Sequence, residues 1–297
     1  MTATVESRLM PSLWCKRMDP VDVVSEHVRV TTEESDRVAA TIPSEMRVQY
    51  QETSPSATLD IFGTDLPNDS PIFVYLSGGY WQELCGAISS YPVMPMYQNG
   101  IVSVIPNYGR APKVTMSDIG EEIISLGQWL VQFAQKRKCR SIVLSGHSAG
   151  GHLCATLMSS PWFDSLTEEE RSLFRGMFLL GACLDLTDIP KTSINDPLRL
   201  TESEVRKFSP LQDHNLKRAR QNSAKMQTFL IYGQNDAPGL IDQGRKYAEA
   251  LKELSPHWMR IPERDHFNLV EHLADPDYVV TKLILTTLKG QSNESSR

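Results

Sequence analysis

The stretch "SIVLSGHSAGGHLCATLM", Ser141 to Met158, leaves the chain little choice of fold. A β-branched apolar run ends at Gly146-His147-Ser148-Ala149-Gly150 and passes at once into an apolar segment of helical composition. A strand that becomes a helix within so few residues needs a very tight turn. The glycines two positions either side of Ser148 remove the side chains that would collide there. The serine hydroxyl then projects beyond the strand end, at the start of the helix, where partial positive charge favours a developing anion.

Seven further runs have strand character: "RVQYQE", "ATLDIFG", "IFVYL", "GIVSVIP", "GMFLLGACL", "TFLIYG" and "HWMRI". From "IFVYL" onward, strands alternate with helix-period segments, which is the signature of an α/β fold: a mostly parallel central sheet with helices on both faces. The first two runs, separated by "TSPS", predict an antiparallel N-terminal start. Between the strands at 101 and 141, Ile119, Ile123, Leu126, Leu130 and Phe133 recur at helical spacing, with Asp118 and Glu121 as a capping pair. The segment from about Pro161 to Lys225 holds one strand and two capping signals, at Thr167 to Glu170 and Thr201 to Glu204. Its remainder is expected to form a helical excursion, a lid over the sheet's carboxyl edge. No repeat or low-complexity linker divides the chain, so residues 1–297 are expected to form a single domain, with the polar tail "GQSNESSR" frayed.

Composition excludes several classes of function. A formal net charge of −6 argues against a nucleic-acid surface, which calls for clustered Lys and Arg. The short basic groups "KRKCR" and "KRAR" sit beside helical patterns and read as solvated faces. Five cysteines, odd in number and without a CxxC pair, argue against a zinc site or a disulfide framework. No signal-peptide core and no bilayer-length apolar run is present, so a reduced, cytosolic protein is expected.

A serine hydroxyl needs a base, and the base needs a third group to orient it. On a turn of this kind the partners follow in the order serine, acid, histidine. Asp236 follows the strand "TFLIYG", and His266 follows the strand "HWMRI". Asp185 and Asp188, one strand earlier, compete for the acid role. Asp265 adjoins His266, but neighbouring side chains in an extended loop point apart. His147 and His152 flank the serine and are read as packing or loop support; His27, His214, His257 and His272 are read as structural or surface residues. The stretch "IFVYLSGGYWQEL" supplies the remaining part. Acyl transfer needs donors for the oxyanion, and these are assigned to the amides of Gly78, Gly79 and Ala149. Tyr80 and Trp81 would stand beside the bound group.

On these residues the chain resembles kynurenine formamidase, a family of the α/β-hydrolase superfamily. The resemblance is carried by "PSLWCKRM", "LDIF", "GGYWQ", "GHSAGGHL", "LTESEVRKFSPL" and "DHFNLVE". It implies hydrolysis of N-formyl-L-kynurenine to kynurenine and formate by a serine nucleophile, without metal or organic cofactor, in a homodimer. It further implies a site for a small-molecule substrate, with the aryl ring packed against Tyr80, Trp81 and Tyr108. The family usually shows His-Gly-Gly-Tyr-Trp, whereas this chain has Ser77 where the histidine would stand. In related hydrolases that side chain helps hold the oxyanion loop; with Ser77 there, either its hydroxyl does part of this or the loop is less rigid. Two other readings of the same residues are a broader carboxylesterase or arylesterase and a catalytically silent binding protein on the same fold.

Overall fold

Eight strands form one sheet: β1 (Ser44–Gln49), β2 (Thr58–Phe62), β3 (Ile72–Leu76), β4 (Val102–Pro106), β5 (Ile142–His147), β6 (Phe174–Leu180), β7 (Gln227–Asn235) and β8 (His257–Asp265). The computed structural model describes residues 4–139 and 141–290. Residues 291–297 of the tail expected to fray, and Arg140 of "KRKCR", lie outside them. The strand order is β1-β2-β4-β3-β5-β6-β7-β8. The β1/β2 and β2/β4 pairs are antiparallel, and every pair from β4 onward is parallel. This is the α/β-hydrolase fold.

Alternation along the central strands explains why both faces are covered. Ile72, Val74 and Leu76 of β3 pack into the core on one side, while Phe73 and Tyr75 pack into the core on the other. The same division holds for Leu144 against Val143 in β5 and for Leu230 and Tyr232 against Phe229 and Ile231 in β7. Each such side chain stabilises the fold by roughly 1.5–3 kcal/mol relative to exposure, which a sheet bare on one face would forgo. At the exposed edge the first strand begins at Ser44, earlier than "RVQYQE" suggests, because a bulge between Glu45 and Val48 breaks its alternation. Arg47 sits in that bulge at φ 59°, its amide donating to Asp60.

Helix starts follow local chemistry. Capping boxes open the helices Glu168–Ser172 and Glu202–Phe208, with Thr167 paired to Glu170 and Thr201 paired to Glu204. The helix Met116–Arg137 is also opened by a box, but Thr115 is its cap and Asp118 completes it. Glu121, expected to share that cap, lies a turn further along, where no free amide remains. Of the "KRAR" group, Arg218 pairs with Asp164 at 2.9 Å.

The N-terminal segment runs to the end of the sheet where the carboxyl termini of β7 and β8 lie. Its helix Val5–Leu9 is tied to the helix Pro238–Ala250 by Arg8 and Asp242 at 2.7 Å. The helix Val23–Thr41 meets the short helix Asn268–Glu271 through His27 and Glu271. No helix of the described residues is long and apolar enough to cross a membrane.

Candidate active site

Ser148 occupies the turn between β5 and the helix Ala149–Met158 with φ 53° and ψ −115°, a conformation that a non-glycine residue adopts only under constraint. Its neighbours show why the turn excludes side chains. A Cβ on Gly146 would lie 2.3 Å from the Gly150 carbonyl carbon, and one on Gly150 would lie 2.1 Å from the Leu76 oxygen. The strained serine is pinned by its own amide, which donates to the Leu180 carbonyl at 2.8 Å.

Asp236 follows β7 and His266 follows β8, and their side chains meet. Nδ1 of His266 lies 2.9 and 3.0 Å from the two carboxylate oxygens, with both residues buried. A carboxylate only accepts, so Nδ1 is the donor and Nε2 is left to accept a proton. Ser148 and His266 both line one cavity of about 290 Å³. The competing acids are elsewhere: Asp185 accepts from the Thr187 amide at 3.0 Å, and Asp188 pairs with Lys191. Asp265 turns from the site and ties down the loop instead. Its Oδ1 accepts the amides of Phe267 and Asn268 at 2.8 Å, and its Oδ2 accepts Arg17 Nε–H at 2.7 Å. Burial raises its pKa, but the backbone hydrogen bond at Asn268 and the Arg17 guanidinium outweigh this and hold it below the ordinary value.

Gly181, at φ 56° just beyond β6, was not singled out by sequence. A Cβ there would sit 2.9 Å from Nδ1 of His266 and 3.2 Å from Oδ2 of Asp236. Its signal was a glycine ending an otherwise continuous apolar strand.

The glycine loop after β3 lies against the elbow, where a Cβ on Gly78 would be 3.0 Å from that of Ser148. The amides of Gly78 and Gly79 make no hydrogen bond among the described residues, and Ala149, first in its helix, has no partner for its amide within that helix. The loop turns through three successive positive φ values, at Gly79, Tyr80 and Trp81. Two of the three aromatic residues expected against the substrate act from behind it. Trp81 is fully buried, absent from the cavity wall, and donates Nε1–H to His152 Nδ1 at 3.2 Å. Tyr108, also buried, donates its hydroxyl to the Ser77 carbonyl at 2.9 Å. Both are therefore corrected from substrate contacts to supports of the loop: their polar tips are drawn inward to buried acceptors. Tyr80 does line the cavity, its hydroxyl bonded to the Leu9 carbonyl. Behind Tyr108, the buried carboxylate of Glu122 accepts the Gly109 amide at 2.6 Å. The Ser77 hydroxyl, a candidate for holding the loop, is buried without a partner among the described residues. Tyr108 grips the main chain of that same residue.

His147 and His152 brace the site through their outer nitrogens. His147 Nε2 donates to the His266 carbonyl at 2.9 Å, and His152 Nε2 donates to the Phe208 carbonyl at 2.7 Å. Burial pushes the pKa of His152 down to about 4. That of His147 is well below its ordinary value through burial and then through the neighbouring His266 and His27.

The roof of the cavity differs from expectation. Of the excursion from Pro161 to Lys225 only Ser193 and Ile194 line it, whereas Met10, Pro11, Ser12, Val24 and His27 come from the N-terminal segment. His27, read from sequence as structural or surface, is 4% exposed and faces this space, with Nδ1 3.0 Å from Glu271. The readable signal was the helical stripe Val23, His27, Thr31, Ser35 and Val38, buried although mostly polar.

Residues 73–266 match a family model described as the alpha/beta hydrolase fold. The chain is 32% identical to a kynurenine formamidase of Salmo salar, over 95% of this chain and 94% of that one. It is also 25% identical to the kynurenine formamidase of Drosophila melanogaster, over 76% of each. Among solved structures, a Silicibacter protein assigned as a thioesterase superposes with a TM-score of 0.74 at 23% identity, covering 95% of this chain and 99% of that one.

Proposed function

Because the chain belongs to the kynurenine formamidase family of the α/β hydrolases, we propose that it hydrolyses N-formyl-L-kynurenine to L-kynurenine and formate with Ser148 as nucleophile. The observation that carries the chemistry is the convergence on one cavity of Ser148, the Asp236-bound His266 and Gly79, whose amide makes no hydrogen bond among the described residues.

In the first half-reaction the Ser148 hydroxyl attacks the formyl carbon as His266 Nε2 takes its proton. The negative oxygen that forms is held by the amides of Gly78, Gly79 and Ala149; one such donor contributes about 3 kcal/mol to the transition state. His266, its positive ring steadied by Asp236, then protonates the departing aryl amine. In the second half-reaction His266 removes a proton from water, which attacks the formyl ester and releases formate from Ser148. Neither step draws on a metal or cofactor. Tyr80 is the aromatic wall for the aryl ring.

The rest of the reading is that residues 1–297 act as one domain, as a cytosolic homodimer, with Ser193 and Ile194 as the part of the excursion that covers substrate. The test is kynurenine appearance from N-formyl-L-kynurenine, for the native chain beside Ser148→Ala. Turnover that vanishes in the variant is expected. A native chain slow on this substrate but fast on acetyl and butyryl aryl esters would overturn the formamidase reading in favour of a general esterase.

A further inference from the structure

Among the described residues no lysine or arginine lines the cavity, whereas Glu83 does. A wall built to read the carboxylate of an amino-acid substrate normally presents a cation, most effectively the forked guanidinium of arginine. Arg17, which shares the Glu271 carboxylate with His27, is committed: its Nε–H donates to Asp265 at 2.7 Å and its terminal nitrogen to Glu271 at 3.0 Å. The group that the N-terminal segment presents instead is the His27 ring. Its Nδ1 faces the Glu271 carboxylate, which can only accept, so Nδ1 carries the proton. With the ring proton on Nδ1, Nε2 is the ring's acceptor. Nε2 makes no hydrogen bond among the described residues, and the residue lines the cavity. An acceptor in a wall without cations calls for a donor on the ligand.

Resting on the N-formyl-L-kynurenine reading above, we propose that His27 Nε2 accepts a hydrogen bond from the α-ammonium group of the substrate. His27 thereby determines specificity at the end of the molecule remote from the formyl group, while the substrate carboxylate finds no cation in the wall and stays hydrated.

Two analogues separate the groups. N-formylkynurenamine keeps the ammonium and lacks the carboxylate; 4-(2-formamidophenyl)-4-oxobutanoate keeps the carboxylate and lacks the ammonium. The quantity to measure is the ratio of kcat/KM for the amine to kcat/KM for the acid. Losing a hydrogen bond to a charged group should lower this ratio by about tenfold or more in His27→Phe, and His27→Gln, which keeps an acceptor oxygen, should recover part of it. Should His27→Phe fail to fold, His27→Asn, too short to reach the Nε2 position, is read in the same way. A ratio that stays within about twofold of the native value while both rates fall together would make His27 a structural residue and overturn the inference. So would a loss confined to the acid. If the native chain turns over aryl esters but neither analogue nor N-formyl-L-kynurenine, the function reading itself fails and takes this inference with it; a native chain active on all three with an unmoved ratio removes this inference alone.

Discussion

Gly181→Ala perturbs the Asp236–His266 pair without replacing either residue. Alanine at φ 56° costs roughly 1–2 kcal/mol of backbone energy, since the left-handed region crowds Cβ. The new methyl would start 2.9 Å from His266 Nδ1, whereas ordinary contact begins at 3.4 Å, so the ring must retreat by the difference of 0.5 Å. Asp236 Oδ2, at 3.2 Å, sits against the same methyl, so the pair shifts as a unit rather than one partner yielding. A misplacement of 1 Å costs a reaction about 10²-fold, so half of that is worth roughly tenfold, about 1.4 kcal/mol of barrier. The expected result is therefore kcat/KM for N-formyl-L-kynurenine lower by about 10- to 100-fold, with Tm lower by only a few degrees. Initial rates of kynurenine formation and a thermal melt of the same preparation supply both numbers. Native kcat/KM at a native Tm would show that the pair has room to spare, and the claim that Gly181 sets its position would be wrong.

Tyr108→Phe removes the bond to the Ser77 carbonyl, which costs about 1 kcal/mol of stability; because it loosens the oxyanion loop, kcat should fall several-fold with KM little changed, and a pure KM effect would put Tyr108 back among the substrate contacts. Ser77→Ala deletes a buried hydroxyl without a partner, so Tm should hold or rise and kcat/KM should stay within about twofold; a tenfold loss in steady-state kinetics would mean that the hydroxyl does hold the loop. Stability should fall on acidification between pH 6.5 and about 4, the folded pKa of His152. Its ring is neutral in the fold and takes up a proton more readily once unfolded, so stability is complete above 6.5 and lost as pH drops, by roughly 3 kcal/mol from this residue. Denaturant titrations at pH 7.5 and 5 should differ by about 2 kcal/mol of this; equal stability at both would refute a buried neutral His152.

Ser148, Asp236 and His266 were legible because each follows a strand, and a parallel sheet brings consecutive strand ends to one edge. The turn at Gly78 and Gly79 beyond β3 was legible for the same reason. Tyr108 and Trp81 were misread because an aromatic beside a glycine loop is equally suited to either side of it, and only packing chose the side with buried acceptors. For His27 the polar helical stripe marks a buried face, but not what that face meets: more than a hundred residues separate it from Ser148 in the sequence.

What the sequence determined by itself was therefore everything that depends on short-range sterics and periodicity: the strand–turn–helix at Ser148, the alternation that buries both faces of the sheet, the capping boxes at Thr167 and Thr201. What the tertiary structure alone decided was the environment of those groups. The Gly181 hydrogen faces His266, Tyr108 and Glu122 stand behind the glycine loop, and Arg17 anchors the N-terminal segment to Asp265. Such contacts arise when distant elements pack, where shape and unpaired polar groups across the interface select partners that spacing along the chain does not encode.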